Sequence, residues 1–140
     1  MQFSVLPVAL GTTWLALAAD AVQEILGTQR VIAVPGGPLG LTGVVPWRGR
    51  AIAVLDLAAL LPHATALTDD GRARIVIAGA GRDVIALPVD QVREARVADA
   101  IGAAHVTSVP RMTREVRLGD ETLAVFDVVA WLDALARDAA

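Results

Sequence analysis

The chain has 140 residues, an apolar fraction of 55% and a formal net charge of −3. That length suits one globular domain, or two small lobes sharing a core, and the slight negative charge sets up no field that would gather nucleic acid. Cysteine is absent and all 12 cationic residues are Arg without a run of five, which excludes disulfides, thiol chemistry, thiolate metal sites and a polybasic tail.

Met1 to Ala19 is apolar, yet it lacks the cationic start of a secretory signal, and Pro7, Gly11, Thr12 and Thr13 interrupt it. No cleaved leader is expected, and no apolar stretch reaches the ~18 residues of a membrane-crossing helix. Phe3–Leu10 reads as a strand, Gly11-Thr12-Thr13 as a turn and Trp14–Ala18 as the returning strand. Asp20 then suits the cap of a short helical turn carrying Val22 and Ile25 and closed by Gly27. Arg30–Val34 reads as a strand and Pro35-Gly-Gly-Pro38 as a loop.

From Gly43 to Leu61 the pattern is strand, tight turn, strand and short helix. Gly43 is read as a turn position that opens it. Val44, Val45 and Trp47 form an apolar run that Arg48-Gly49-Arg50 breaks, with Gly49 supplying the left-handed position. Ala51–Leu55 ends on Asp56, whose carboxylate can accept from the free N–H groups of the following turn. Pro62–Gly71 reads as a linker between halves.

Beyond it, Arg72–Ala78 and Asp83–Val89 form a hairpin across Gly79-Ala-Gly-Arg82. Glu94–Ala98 is expected as a strand and Asp99–Ala104 as loop. Arg111–Leu118 and Glu121–Phe126 pair across Gly119-Asp120, and Asp127 caps a closing helix with Val128, Trp131, Leu132 and Leu135 on one face. About ten short strands with few helices argue for a mainly β protein built as two small barrels.

The chain also repeats itself. Ile52-Ala-Val-Leu-Asp56 lines up with Leu123-Ala-Val-Phe-Asp127 at an offset of 71 residues, and Ala16-Leu17-x-x-Asp20-x-Val22-x-Glu24 lines up with Ala86-Leu87-x-x-Asp90-x-Val92-x-Glu94 at 70. Nearly one offset for both suggests a duplicated unit of about half the chain. The expected division is a single domain, 1–140, whose repeated units run approximately 14–65 and 84–140, with the Phe3–Leu10 and Arg72–Ala78 strands exchanged between them.

No catalytic constellation emerges. His63 and His105 have no neighbouring ligands at metal spacing, and Ser4 and Ser108 lack a Gly-x-Ser-x-Gly elbow. Asp69-Asp70 and Asp120-Glu121 read as solvated turns. Gly36-Gly37 and Gly79-x-Gly81 open no helix that bears a phosphate-binding Lys or Thr. Neither a metal nor a cofactor is expected, and a binding module is favoured over an enzyme.

Val22-Gln23-Glu24-Ile25, Pro35, Gly43-Val44-x-Pro46-x-Arg48-Gly49, Val54-Leu55-Asp56-Leu57 and Ile85-Ala-Leu-Pro-Val-Asp90-x-Val92 together resemble the CheW-like family, adaptor modules of bacterial chemosensory arrays. The resemblance implies two intertwined five-stranded SH3-like β-barrels with short helices and a C-terminal helix. It implies no catalysis and no cofactor, and a cytoplasmic, array-associated adaptor. The implied partners are the cytoplasmic helical tip of a chemoreceptor (a methyl-accepting chemotaxis protein) and the regulatory domain of a CheA-type histidine kinase, with no nucleic acid and no membrane insertion. Carried over by motif, Glu24 and Arg48 form a hydrogen-bonded pair that shapes the binding groove, while Val22 and Ile25 serve either as its apolar contacts or as core. Pro46 in place of the family's asparagine, the glycine-rich Pro35–Gly43 loop and the short, sparsely patterned region after Val97 keep open a degenerate adaptor that binds receptor but not kinase. A small-molecule-binding or enzymatic barrel is the alternative from another class.

Overall fold

The structure is a computed structural model that describes residues 2–37, 40–61, 73–102 and 112–138. Its strands are β1 (Gln2–Leu10), β2 (Thr13–Ala18), β3 (Val22–Leu26), β4 (Ile32–Ala33), β5 (Leu41–Trp47), β6 (Arg50–Leu55), β7 (Arg74–Ala80), β8 (Asp83–Val89), β9 (Gln91–Val92), β10 (Arg96–Gly102), β11 (Met112–Leu118) and β12 (Glu121–Phe126), followed by α1 (Val128–Asp138). The expected linker at 62–71, both histidines and Ser108 lie outside the described residues.

The strands form two sheets. In the first, β10, β11, β12, β2 and β1 neighbour one another in that order, and β10 pairs back onto β1 to close a five-stranded barrel. The second has the order β3-β7-β8-β6-β5-β4, and among the described residues no ladder joins its outer strands. The N-terminal hairpin β1–β2 therefore completes a barrel otherwise made from the C-terminal strands, while the middle of the chain builds the other sheet. Each sheet contains one parallel ladder. Val125 faces Ala16 in the first and Val54 faces Ala86 in the second, and the offsets of 71 and 70 carry one pair onto the other.

Burial explains why so many strands read as unbroken apolar runs. Leu15 and Leu17 of β2, Val76 and Ala78 of β7, Ile85 and Leu87 of β8 and Phe126 of β12 share one central core with α1 residues Val128 and Trp131. Their neighbours turn the other way. Ala16 and Val125 fill the barrel, and Ile75, Ile77 and Ala86 fill the interior of the second sheet. A strand buried on both faces cannot alternate apolar with polar.

Proline placement follows the ladders. The closing pairs Leu10–Thr13, Trp47–Arg50 and Ala80–Asp83 flank two-residue turns, so the hydrogen-bonded pairs alternate inward from each. Pro7, Pro46 and Pro88 pair with Ala16, Ala51 and Ile75, each at a position whose missing N–H would have pointed away from that partner. Pro46 thus costs β5–β6 no hydrogen bond.

Several local expectations change. The segment after Asp20 is not a helical turn bearing Val22 and Ile25: a 3₁₀ turn occupies Ala19–Ala21 without a side-chain cap, and Val22–Leu26 is strand because it pairs with β7. The segment expected at 99–104 as loop continues β10 to Gly102, held between β1 and β11. The strand expected at 30–34 shortens to β4. Gly43 is not a turn glycine. It lies inside β5, where an added Cβ would sit 2.3 Å from the Ile32 carbonyl oxygen and 2.9 Å from Val31 Cγ1. Gly43→Ala is expected to detach the short, exposed β4 while sparing the core, at a cost of about 1 kcal/mol. Hydrogen exchange would show this as lost protection confined to β4 and its β5 partners, and protection retained there would contradict it.

The caps are local. Asp56 Oδ1 accepts from the Ala58 N–H at 3.0 Å, and Asp127 Oδ1 accepts from the Ala130 N–H at 2.9 Å. The first opens a 3₁₀ turn over Leu57–Ala59 and the second opens α1.

Candidate functional site

The site assembles where β3 passes the β5–β6 turn. Gly43, Val45 and Trp47 alternate inward along β5, which buries the Trp47 ring among Val45, Ile52, Ile75 and Ile77. A buried indole N–H needs an acceptor. Glu24, half-buried on β3, provides it: Trp47 Nε1 donates to Glu24 Oε1 at 3.1 Å.

Arg48 and Gly49 are the two turn residues, with φ of 48° and 76°. Positive φ at both positions is the geometry that matches the twist of the flanking strands. Glycine adopts it freely, whereas an arginine does so at a cost of about 1 kcal/mol. In return its guanidinium is aimed back over the protein, with Cζ 4.6 Å from the Trp47 ring centre and Nη2 donating to Glu24 Oε1 at 3.1 Å. The side chains of Arg48 and Glu24 are 67% and 38% exposed, so the ion pair adds only about 0–1 kcal/mol. Its effect is geometric: one carboxylate oxygen, held from inside by Trp47, fixes a surface guanidinium.

Two neighbouring turns complete the surroundings. Arg50 Cζ lies 5.9 Å from the Trp47 ring and its Nη1 donates to the Arg82 carbonyl at 3.0 Å. Gln23 Nε2 donates to the Gly81 carbonyl at 2.9 Å. The β7–β8 turn is thereby tied to both β3 and β6.

The four carried-over residues do not converge on one spot. Glu24 and Arg48 meet. Val22 packs against the central core, and Ile25, 42% exposed, points from β3 to the opposite side. There it lines a groove of about 400 Å³ with Arg74, Gln91, Val92, Arg93 and Glu94. The groove runs between the two sheets, since β3 and β7 belong to one and β9 to the other. Arg93 forms its far wall, stacked 3.8 Å from the Trp14 ring centre and paired with Glu121 at 2.9 Å.

Trp47, which the sequence shows only as a member of an apolar run, is the further participant. The available signal was its inward register two residues beyond Val45, which buries the ring and leaves an N–H to satisfy. Among the described residues no group of three His, Asp or Glu side chains is placed to hold a metal, and no helix is long and apolar enough to cross a membrane.

The model of the family described as "CheW-like domain" matches residues 4–136. Among solved structures, the chain is similar to the scaffolding protein TtCheW from Thermoanaerobacter tengcongensis, at 20% identity and a TM-score of 0.79, over 94% of this chain and 92% of that one. No curated protein matches the chain.

Proposed function

The chain belongs to the CheW-like domain family, and from that premise we propose that it is a non-enzymatic, cytoplasmic chemosensory adaptor that couples the helical tip of a chemoreceptor to the regulatory domain of a CheA-type histidine kinase. The observation that carries this reading is the Glu24 carboxylate clamped by Trp47 and Arg48, at the positions where the family resemblance puts partner-binding residues. The groove between the sheets supports it, because Ile25 stands exposed there with Arg74 and Arg93 among its lining residues.

A second contact is favoured over a degenerate adaptor by the outer strand of the second sheet. Ile32 within β4 is 58% exposed and Val34 just beyond it 48%, and among the described residues the outer edge of β4 has no ladder partner, so it can accept one. That apolar edge is the surface we assign to the kinase domain.

Arg48→Gly removes the guanidinium and relaxes the left-handed turn, so stability is expected to stay within about 1 kcal/mol of wild type. Glu24→Gln keeps an acceptor for the Trp47 N–H while removing the charge. Each is expected to weaken capture of the receptor tip about tenfold. Unchanged capture by both folded variants would remove Glu24 and Arg48 from the site. Capture of the kinase regulatory domain by wild type separates the coupling adaptor from one that has kept only its receptor.

A further inference from the structure

We propose that the concavity around Trp47 is a docking site for an acidic segment of a protein partner, with Arg50 and Arg82 as its further recognition residues. The proposal rests on the reading of the Arg48 turn as a partner-binding site and names the chemistry that it recognises. Arg48, Arg50 and Arg82 line one concavity of about 350 Å³ together with Gln23, Trp47 and Gly81. Three guanidinium-bearing residues thus gather at the tips of two adjacent hairpins, on a chain whose net charge is −3.

Compensation inside the cluster is incomplete. Glu24 engages Arg48 through one carboxylate oxygen and one guanidinium nitrogen, and the Arg48 side chain is 67% exposed, so donor capacity remains for a ligand. Arg50 spends one nitrogen on a backbone carbonyl, which carries no charge. Asp83 follows Arg82 in the chain but does not line the concavity. The indole face holds Arg48 and Arg50 at 4.6 and 5.9 Å, so part of the ordering cost of a guanidinium–carboxylate fork is met before a ligand arrives.

Size and charge select the occupant. Screening confines each guanidinium's reach to about 8 Å at physiological salt. A few consecutive Glu or Asp residues suffice to meet the cationic patch, and the chain's net charge of −3 works against a long polyanion. The guanidinium forks suit carboxylate and phosphate alike, but the Trp47 ring, 7% exposed and covered by Arg48 and Arg50, offers no stacking face to a base, which favours an acidic peptide over a nucleic-acid strand.

The test titrates a fluorescein-labelled deca-glutamate peptide into the full chain at low salt, reading anisotropy and amide chemical shifts. Binding is expected to shift the Gln23 side-chain amide, the Trp47 indole N–H and Gly81, and to fade as salt rises from about 50 to 200 mM. Arg50→Gln and Arg82→Gln should each weaken it about two- to fivefold, and the double variant about tenfold, with melting unchanged. No binding by wild type, or equal binding by the folded double variant, overturns the proposal. Equal Arg-dependent binding of a deca-thymidine oligonucleotide overturns the peptide assignment. Failure of wild type to capture either receptor tip or kinase domain counts against the adaptor reading alone, because the peptide titration still decides the docking chemistry.

Discussion

Gly79→Ala is expected to lower stability by about 3 kcal/mol or more, the steepest loss expected from adding a single methyl group among the described glycines. Gly79 lies in β7 opposite Val84, with φ of +150°, a conformation that L side chains rarely adopt. A Cβ there would lie 2.0 Å from the Asp83 carbonyl oxygen and 2.8 Å from Val84 Cα. These are backbone atoms of a hairpin packed into two cores, so neither can withdraw without breaking pairings. Conformational strain of about 1–3 kcal/mol adds to an overpacking cost of similar size. Gly81→Ala is the matched control. It also has positive φ, +59°, but nothing lies within 4 Å of the new Cβ, so about 1 kcal/mol is expected. Urea denaturation of both variants measures the difference, and equal losses would show that space at Gly79 does not matter.

Asp90→Ala is expected to cost about 2–3 kcal/mol, read as a fall in melting temperature of about 8 °C. Asp90 is 2% exposed, and its Oδ2 accepts from the backbone N–H of Gly11 in the β1–β2 turn. Its own N–H donates to the Ala9 carbonyl at 2.8 Å, so the residue pins the N-terminal hairpin from the end of β8. Truncation leaves a half-buried donor without its charged acceptor. Asp90→Asn retains an oxygen in place and should lose about half as much. The repeat makes a sharper comparison available: Asp20 aligns with Asp90 in sequence, yet it is exposed. Asp20→Ala is expected to fall within about 0.5 kcal/mol of wild type. A large loss at Asp20, or a negligible one at Asp90, would mean that the hairpin is held by something else.

That pair shows where sequence reading stops. The two aspartates are indistinguishable as letters in a repeated motif, and only the approach of Gly11 from the other end of the chain separates them. Gly79 and Gly81 are similar. The spacing of Gly79-Ala-Gly-Arg82 marks a reversal, but it does not say that Ala80 and Asp83 close the turn and leave Gly79 inside a strand. Val22–Leu26 carries apolar residues compatible with a turn of helix, and its pairing with β7 overrides that preference.

What the sequence determined by itself is whatever a few neighbouring residues can encode. Glycine next to a polar residue sets the reversals at Arg48-Gly49 and Gly119-Asp120, an aspartate ahead of an apolar run opens α1, and the period of about 70 residues marks related ladders. The tertiary structure alone decided which hairpin joins which sheet, which face of each doubly buried strand meets which core, and that Trp47 shares Glu24 with Arg48. Those outcomes depend on groups brought together from distant parts of the chain. Their energies come from burial and from satisfying buried donors, neither of which exists until the partner arrives.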